Sequence, residues 1–303
     1  LLGQEQHVVH VALITNPRSG RQRGPRAAVA AEEVFREAGW EVEIHLTTAH
    51  DDAVRMAAQC AEGGVDAVFA AGGDGTLSQV LTGLLDTGVP AGVVPAGTGN
   101  DLARTLGLSL EPALAAAQLV QGAPEPVDLM EIDGGRWWAV NVLGIGFDSR
   151  VAGRMARKSR AVGGIWAYLL AVAGEFAAFR CTRMKLTVDD QHWEGPALLT
   201  AIGNARSYGA GMKIAPNARV DDGLLDVVLV EYIPRLEFIR TFPKVLKGTH
   251  ITHPAIRCWR GVHAELYTEQ PGPVIVDGDL TAETPLRVGI APDRCLVWAP
   301  SDG

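Results

Sequence analysis

The segment Gly72-Gly-Asp-Gly-Thr76 constrains this chain more than any other. It directly follows Val65-Asp-Ala-Val-Phe-Ala-Ala71, an apolar run of strand length. It directly precedes Leu77-Ser-Gln-Val-Leu-Thr-Gly-Leu-Leu85, whose apolar spacing is that of an amphipathic helix. Three glycines let the backbone pass close to a bulky anion with amides turned toward it. The helix beginning there adds unpaired N–H groups and the positive end of its dipole. A bare Asp74 would repel phosphate, and a metal ion or water network between the two removes that conflict. A nucleoside triphosphate with magnesium, and hence phosphoryl transfer, is the first reading. The alternative is a tight strand-to-helix turn in which Asp74 caps the helix.

Two further loops favour the first reading. Val89-Pro-Ala-Gly-Val-Val94 reads as another short buried strand, and Pro95-Ala-Gly-Thr-Gly-Asn-Asp101 leads from it into a helix at Asp101-Leu-Ala-Arg-Thr-Leu106. Near the start, the strand-like His7–Ile14 runs into Asn16-Pro17-Arg18-Ser19-Gly20, where Asn16 and Ser19 can hydrogen-bond, Gly20 can turn and Arg18 can face a phosphate. In an open parallel sheet, loops at the carboxyl ends of neighbouring strands face one crevice.

The surrounding pattern predicts a doubly wound α/β nucleotide-binding domain over residues 1–125, followed by a β-rich sandwich with inserted helices over 126–291. Strand and helix patterns alternate as far as about Gln121. Beyond Pro126 come Val127–Ile132, Trp137–Val142, Arg183–Val188, Ala197–Ile202 and Leu224–Val230, all strand-like, with Gly134-Gly135 and Asp189-Asp190 as hairpin connections. Helices are expected near 150–178 and 234–247. A net charge of -8 argues against a general nucleic-acid binder. The four scattered cysteines fit reduced thiols, and no stretch free of Asp, Glu, Lys and Arg exceeds fourteen residues, so no spanning helix is expected.

Taken together, Asn16-Pro-Arg-Ser-Gly20, Gly72-Gly-Asp-Gly-Thr76 and Pro95-Ala-Gly-Thr-Gly-Asn-Asp-Leu-Ala-Arg104 resemble the diacylglycerol kinase catalytic family, in its bacterial soluble lipid kinase branch. Sphingosine and ceramide kinases are relatives. The later segments Asn141–Asp148, Ala215–Asp226 and Val276-Asp-Gly-Asp279 are similar to the family's remaining landmarks. NAD kinases share the Gly-Gly-Asp-Gly-Thr motif, and the Gly97-Thr-Gly-Asn-Asp101 loop argues against that alternative.

The resemblance implies a lipid kinase carrying the γ-phosphoryl of ATP to a hydroxyl of diacylglycerol or a related lipid, with Mg2+. It implies ATP contacts from Asn16, Pro17, Arg18, Ser19, Gly20, Thr47, Gly72, Gly73, Asp74, Gly75, Thr76, Leu77, Ser78 and Thr98. Thr47 reads equally as a strand end or helix cap. Asp74 and Asp101 would hold magnesium-bound water, Asp101 with an alternative or added role as N-cap. Asp279 stands where the family has a Glu as general base; its side chain is shorter by one methylene, Glu283 is the substitute, and a plain Asp-Gly hairpin turn is the alternative. A structural magnesium would take the carboxylate of Asp222 and the backbone carbonyls of Arg219 and Leu224, and an ordinary turn is the other reading there. The tail, about 292–303, is implied to return to the first domain, and the acceptor is implied to enter a cleft between the domains.

The implied partner is a lipid substrate at a membrane surface, with a cytoplasmic protein that attaches peripherally to the inner face; a homodimer is left open. Arg150, Arg154, Arg157, Lys158 and Arg160 precede an apolar run with Trp166 and Phe176, a pattern that suits anionic headgroups or a solvated face beside a core helix. A different class, a catalytically weak nucleotide-binding regulator, stays open because of the Asp279 departure.

Overall fold

The computed structural model describes residues 7–17, 23–49, 51–147, 149–150, 181–209, 211–291, 293 and 295–301. The chain divides into two compact units, one from Leu1–Val127 with Arg294–Gly303 and the other from Asp128–Asp293.

In the first unit, the described strands are β1 (His10–Thr15), β2 (Glu41–Leu46), β3 (Ala67–Gly72), β4 (Ala91–Pro95), β5 (Ala123–Val127) and β17 (Cys295–Ala299). They form one sheet in the order β2-β1-β3-β4-β17-β5. All neighbours pair in parallel except β5, which runs antiparallel to β17 at the edge. Every residue of β3 and β4 is buried, as strands covered on both faces require. The outermost β2 instead alternates, with Glu41 and Glu43 exposed. Charges on such an edge discourage pairing with another chain.

Helices α1 (Arg23–Glu37), α2 (Asp52–Glu62), α3 (Asp74–Gly83), α4 (Asp101–Thr105) and α5 (Pro112–Val120) connect these strands. The inward stripe of α1 is small, with Ala27, Ala28 and Ala31 buried, and it ends in the large Phe35. Phe35 packs on Trp40 and Phe69, with ring centroids 4.9 and 5.3 Å away. Trp298 of β17 joins this cluster 5.5 Å from Trp40 and donates its indole N–H to the Leu119 carbonyl at 2.9 Å. One aromatic side chain thereby ties the late strand to the α/β core.

The second unit is antiparallel. Its described strands are β6 (Met130–Ile132), β7 (Trp137–Ala139), β8 (Val142–Gly146), β9 (Thr182–Val188), β10 (Gln191–Gly203), β11 (Leu225–Glu231), β12 (Ile256–Gly261), β13 (His263–Thr268), β14 (Pro273–Val276), β15 (Asp279–Glu283) and β16 (Leu286–Ile290). The main path is β15-β14-β8-β10-β9-β13-β16-β6-β7, and β11 leaves it from β10 to pair β12. The thirteen-residue β10 is the branch point: Gln191–Ala197 pairs with β9, while Leu199–Gly203 lies between β8 and β11. A register shift between Ala197 and Leu199 separates the two halves. Leu143, Ile145, Met184, Leu266, Val274 and Leu286, drawn from distant strands of this path, share one buried core. The sheet therefore closes on itself as a sandwich. Helix α6 (Arg235–Thr241) and a 3-10 segment, Phe242–Lys247, cover another face of β8, β10 and β11.

Two strands expected to be continuous are broken. The run Val127–Ile132 ends as β5 at Val127 and restarts as β6. Between them Asp128 is buried, donates its N–H to the Val220 carbonyl at 2.6 Å and accepts the Gly223 N–H at 2.6 Å. The run Trp137–Val142 likewise divides into β7 and β8, because the amides of Val140, Asn141 and Val142 donate to the Asp277 carboxylate at 2.8, 2.9 and 3.1 Å. Both hairpin connections, at Gly134-Gly135 and Asp189-Asp190, form. The inserted helices expected near 150–178 fall largely outside the described residues. No helix among the described residues is long and apolar enough to cross a bilayer.

Replacing Trp298 with Ala removes the aromatic link and the indole bond to the Leu119 carbonyl, which keeps only the Gly122 N–H at 3.0 Å. It should lower stability by about 2–4 kcal/mol, the scale of large-to-small aromatic truncations. Chemical denaturation followed by far-UV circular dichroism measures it, and a midpoint unchanged from wild type would show that β17 is held by its ladder alone.

Candidate active site

The ends of β1, β3 and β4 are neighbours in a parallel sheet, so the turns that follow them open on the same side. The second and third turns touch. A Cβ added to Gly97 would lie 2.5 Å from the Gly73 Cα, and one added to Gly73 would lie 3.0 Å from the Gly97 Cα. No side chain fits at either position without moving backbone. The Gly72 carbonyl accepts the N–H groups of Ala96 and Gly97 at 2.8 and 3.2 Å, which stitches the turns together. Asn100 folds back, accepting the Gly97 N–H at 2.8 Å and donating to the Gly97 carbonyl at 3.2 Å. Its own backbone is left-handed at φ 52°, a conformation Asn tolerates.

This stitching sets two carboxylates beside each other. Helix α3 begins at Asp74, one turn earlier than its apolar pattern indicates, and Gly73 occupies the N-cap position. Asp74 therefore does not cap its own helix. Its Oδ1 accepts the N–H groups of Asp101 and Leu102 at 2.7 and 3.3 Å, so it serves the first turn of α4. The N-cap of α4 is Asn100, and Asp101 is the first helical residue, not the cap. Burial, and then the charge of Asp101, push the Asp74 carboxyl up to about 6, against the pull of the two amides.

The residues expected to meet ATP are distributed as follows. Asn16 and Pro17 follow β1 directly, while Arg18, Ser19 and Gly20 lie outside the described residues. Thr47 is buried just beyond β2, and its N–H donates to the Thr15 carbonyl at 3.0 Å, so it extends the strand. The helix that follows is instead approached by Thr48 and Ala49, whose N–H groups donate to Asp52. Gly73, Asp74, Gly75, Thr76 and Ser78 are part-exposed in the first turns of α3, and Gly72 is buried at the end of β3. The Leu77 side chain enters the core. Thr98 is exposed at the tip of the third turn. Sequence reasoning passed over Arg23, whose guanidinium donates to the Gly97 carbonyl at 3.1 Å. A basic residue at the start of α1 was the available signal.

In the second unit, the Asp-Gly pair forms the β14–β15 turn, with Asp277 at φ 46° and Gly278 at φ 99°. Asp277 and Asp279 have opposite surroundings. Asp277 is buried and accepts the three amides before β8. Asp279 is exposed where β15 begins, and Glu283 is exposed at its end. Behind Asp277 lies a polar cluster that sequence reasoning did not identify. Asn204 donates from Nδ2 to the carbonyls of Asp128 and Val140 at 2.8 and 3.0 Å. The side-chain amide of Asn141 and the Oδ1 of Asn204 are buried with no hydrogen-bond partner. In the turn of Arg219, Asp222 and Leu224, the Asp222 Oδ1 accepts the Leu224 N–H at 3.2 Å and its Oδ2 pairs with Arg260. Both oxygens are thus engaged, Oδ1 by a single N–H that leaves it a second lone pair. Among the described residues no group of three or more His, Cys, Asp and Glu side chains converges as a ready metal cage.

Comparison with known proteins agrees with this geometry. Residues 10–132 match the diacylglycerol kinase catalytic domain, and residues 141–299 match the YegS C-terminal NAD kinase beta sandwich-like domain. A diacylglycerol kinase of Mycobacterium tuberculosis is 36% identical over 300 residues, spanning 97% of this chain and 96% of its own. A probable lipid kinase YegS-like of Stenotrophomonas maltophilia is 33% identical over 303 residues, spanning 95% and 96%. The crystal structure of a diacylglycerol kinase from Bacillus anthracis shares the fold, with a TM-score of 0.74 and 23% identity over 96% of this chain and 97% of that one. Both halves of the molecule are thus accounted for by one lineage, and the chain belongs to the diacylglycerol kinase and YegS-like family of lipid kinases.

Proposed function

We propose that this lipid kinase transfers the γ-phosphoryl group of ATP to a free hydroxyl of diacylglycerol, giving phosphatidic acid, with Mg2+ as the cation. Support for the acceptor comes from relatives named diacylglycerol kinase at 36% and 30% identity. The observation that carries the phosphoryl chemistry is the pair of touching glycine turns that sets Asp74 against Asp101. Glycine backbone and the first turn of α3 suit the ATP phosphates. Carboxylate oxygens suit a hard divalent cation, whose remaining ligands would be phosphate oxygens and water. Bound there, magnesium would offset charge on the transferring group. Asp74 and Asp101 would orient its water shell, and Arg23 would hold the third turn in place. Asp279 is proposed to accept the proton of the attacking hydroxyl, while Asp277 fixes the turn that carries it.

Incubation with γ-labelled ATP and a panel of diacylglycerol, ceramide, sphingosine and NAD tests the acceptor. Label is expected in phosphatidic acid. Label in NADP, or in no product, would replace this reading with the NAD kinase or the regulatory one.

The carboxylate pair generates a pH prediction. The folded pKa of Asp74 lies above its ordinary 3.8, so the fold gains from protonating it. That stabilisation is full below about pH 4 and is lost as pH rises through about 6. In metal-free buffer at pH 8, Asp74→Asn should therefore be more stable than wild type by about 2 kcal/mol, allowing for partial solvent screening. The gap should close toward pH 4. Millimolar magnesium with ATP should raise the wild-type Tm and not that of the variant, and turnover of the variant should be nearly abolished. Equal Tm values at pH 8 would dissolve the coupling.

The β14–β15 turn generates another contrast. Asp279→Asn should keep wild-type Tm and ATP KM while kcat falls about 10²–10⁴-fold, the range of general acid–base catalysis. Asp277→Ala should instead lower stability by about 3 kcal/mol, since three buried amides lose their acceptor. If Glu283→Gln is inactive and Asp279→Asn is not, the proton acceptor is Glu283.

A further inference from the structure

The segment from Tyr232 to Lys247 concentrates exposed apolar surface in a way no other part of the described molecule does. Tyr232, Leu236 and Ile239 are each about two-thirds exposed, at 64, 63 and 64%, and Leu246 is 53% exposed. Leu236, Ile239 and Arg240 are spaced three and four apart on α6 and share a face. In the 3-10 segment that follows, Lys244 and Lys247 are spaced three apart and align. Arg240, Lys244 and Lys247 are all exposed. The sole acid in the stretch, Glu237, is held at 2.8 Å by His253.

The opposite faces of both helices are committed elsewhere. Phe238, Phe242 and Val245 line an apolar cavity with Ile233 and Ile256. Because both helices turn their inner residues to one cavity, their outer residues point away from it. Bare leucine and isoleucine interleaved with cations are the pattern of a surface that rests at a headgroup–acyl boundary.

We propose that α6 and the 3-10 segment after it form a docking surface for an anionic lipid bilayer. The reading rests on the lipid being the acceptor, since only a membrane-borne substrate calls for such a surface. Charge decides between a bilayer and a second copy of the chain. A two-fold contact would set Arg240, Lys244 and Lys247 against their own copies, whereas anionic headgroups complement them. The protein as a whole carries a net charge of -8, so a local basic patch is what lets this face approach such a membrane.

The test is co-sedimentation with phosphatidylcholine vesicles, with and without 30% phosphatidylglycerol, in the absence of ATP. Omitting ATP separates failure of docking from failure of the kinase reading. Wild type should bind the anionic vesicles and weaken in 0.5 M salt. Arg240→Gln/Lys244→Gln/Lys247→Gln should bind up to about 100-fold less at low salt, on the scale known for basic residues near an anionic surface. Leu236→Ser/Ile239→Ser should lose binding at both salt concentrations while keeping the wild-type Tm, because these side chains are exposed. With vesicle-borne diacylglycerol both variants should turn over more slowly, and with a detergent-dispersed short-chain substrate they should match wild type. Wild-type binding by both variants would overturn the proposal. So would dependence on Arg154, Arg157 and Lys158 alone, or a protein dimer that Leu236→Ser/Ile239→Ser converts to monomer.

Discussion

Contact between the backbones of Gly73 and Gly97 is the constraint on which the first unit's chemistry depends. A methyl group at Gly97 would have to occupy space held by the Gly73 Cα, 2.5 Å away, and backbone cannot yield as a flexible side chain can. Once the turns touch, the remaining contacts follow. The Gly72 carbonyl reaches two amides of the third turn, and the Asp74 carboxylate reaches two amides of α4. A helix of only five residues, too short to persist alone, is thereby anchored at its start by a side chain from another helix.

Much of the parallel half was legible because its signals are local. Apolar runs of strand length, helical spacing and glycine turns all fall within windows of about ten residues, and buried parallel strands are nearly continuous in hydrophobicity. The hydrogen-bond partners of the acids were not legible. In the alternative reading Asp74 caps the helix it begins, yet the amides it accepts lie 27 and 28 positions away. Asp277 reads as one half of a turn, yet its three amide partners lie 135 to 137 positions away. A carboxylate's chemistry depends on which amides it meets, and local pattern does not encode long-range partners. The same cause split two predicted strands, at Asp128 and at Val140 to Val142. β12, β13 and β16 were missed; β12 is largely exposed, which removes the apolar contrast that marks a strand.

The Asp-Gly turn of the second unit shows how residue type underdetermines role. Asp277 and Asp279 are separated by one glycine and carry the same carboxylate. One is enclosed and saturated with backbone amides; the other stands in solvent at the start of a strand. Enclosure and acceptance of three amides hold the side chain in place, which is the property of an anchor. Exposure leaves the other side chain accessible from solvent. The family resemblance directed attention to the second acid, and the geometry supplies a distinct purpose for the first.

The position of β17 in the sheet order has a consequence for how the molecule is made. It lies between β4 and β5, so those two strands have no ladder to each other except through residues 295–299. During synthesis, β1 to β4 can assemble as soon as they emerge, but β5 must wait unpaired while the whole antiparallel unit is translated. The α/β sheet is closed only after the whole antiparallel unit has left the ribosome. Until then its open edge at β4, and Phe69 and Trp40 without Trp298, are exposed to other chains. Newly made protein is therefore most open to misassociation until β17 emerges, and a chain truncated before β17 would leave that edge permanently uncovered.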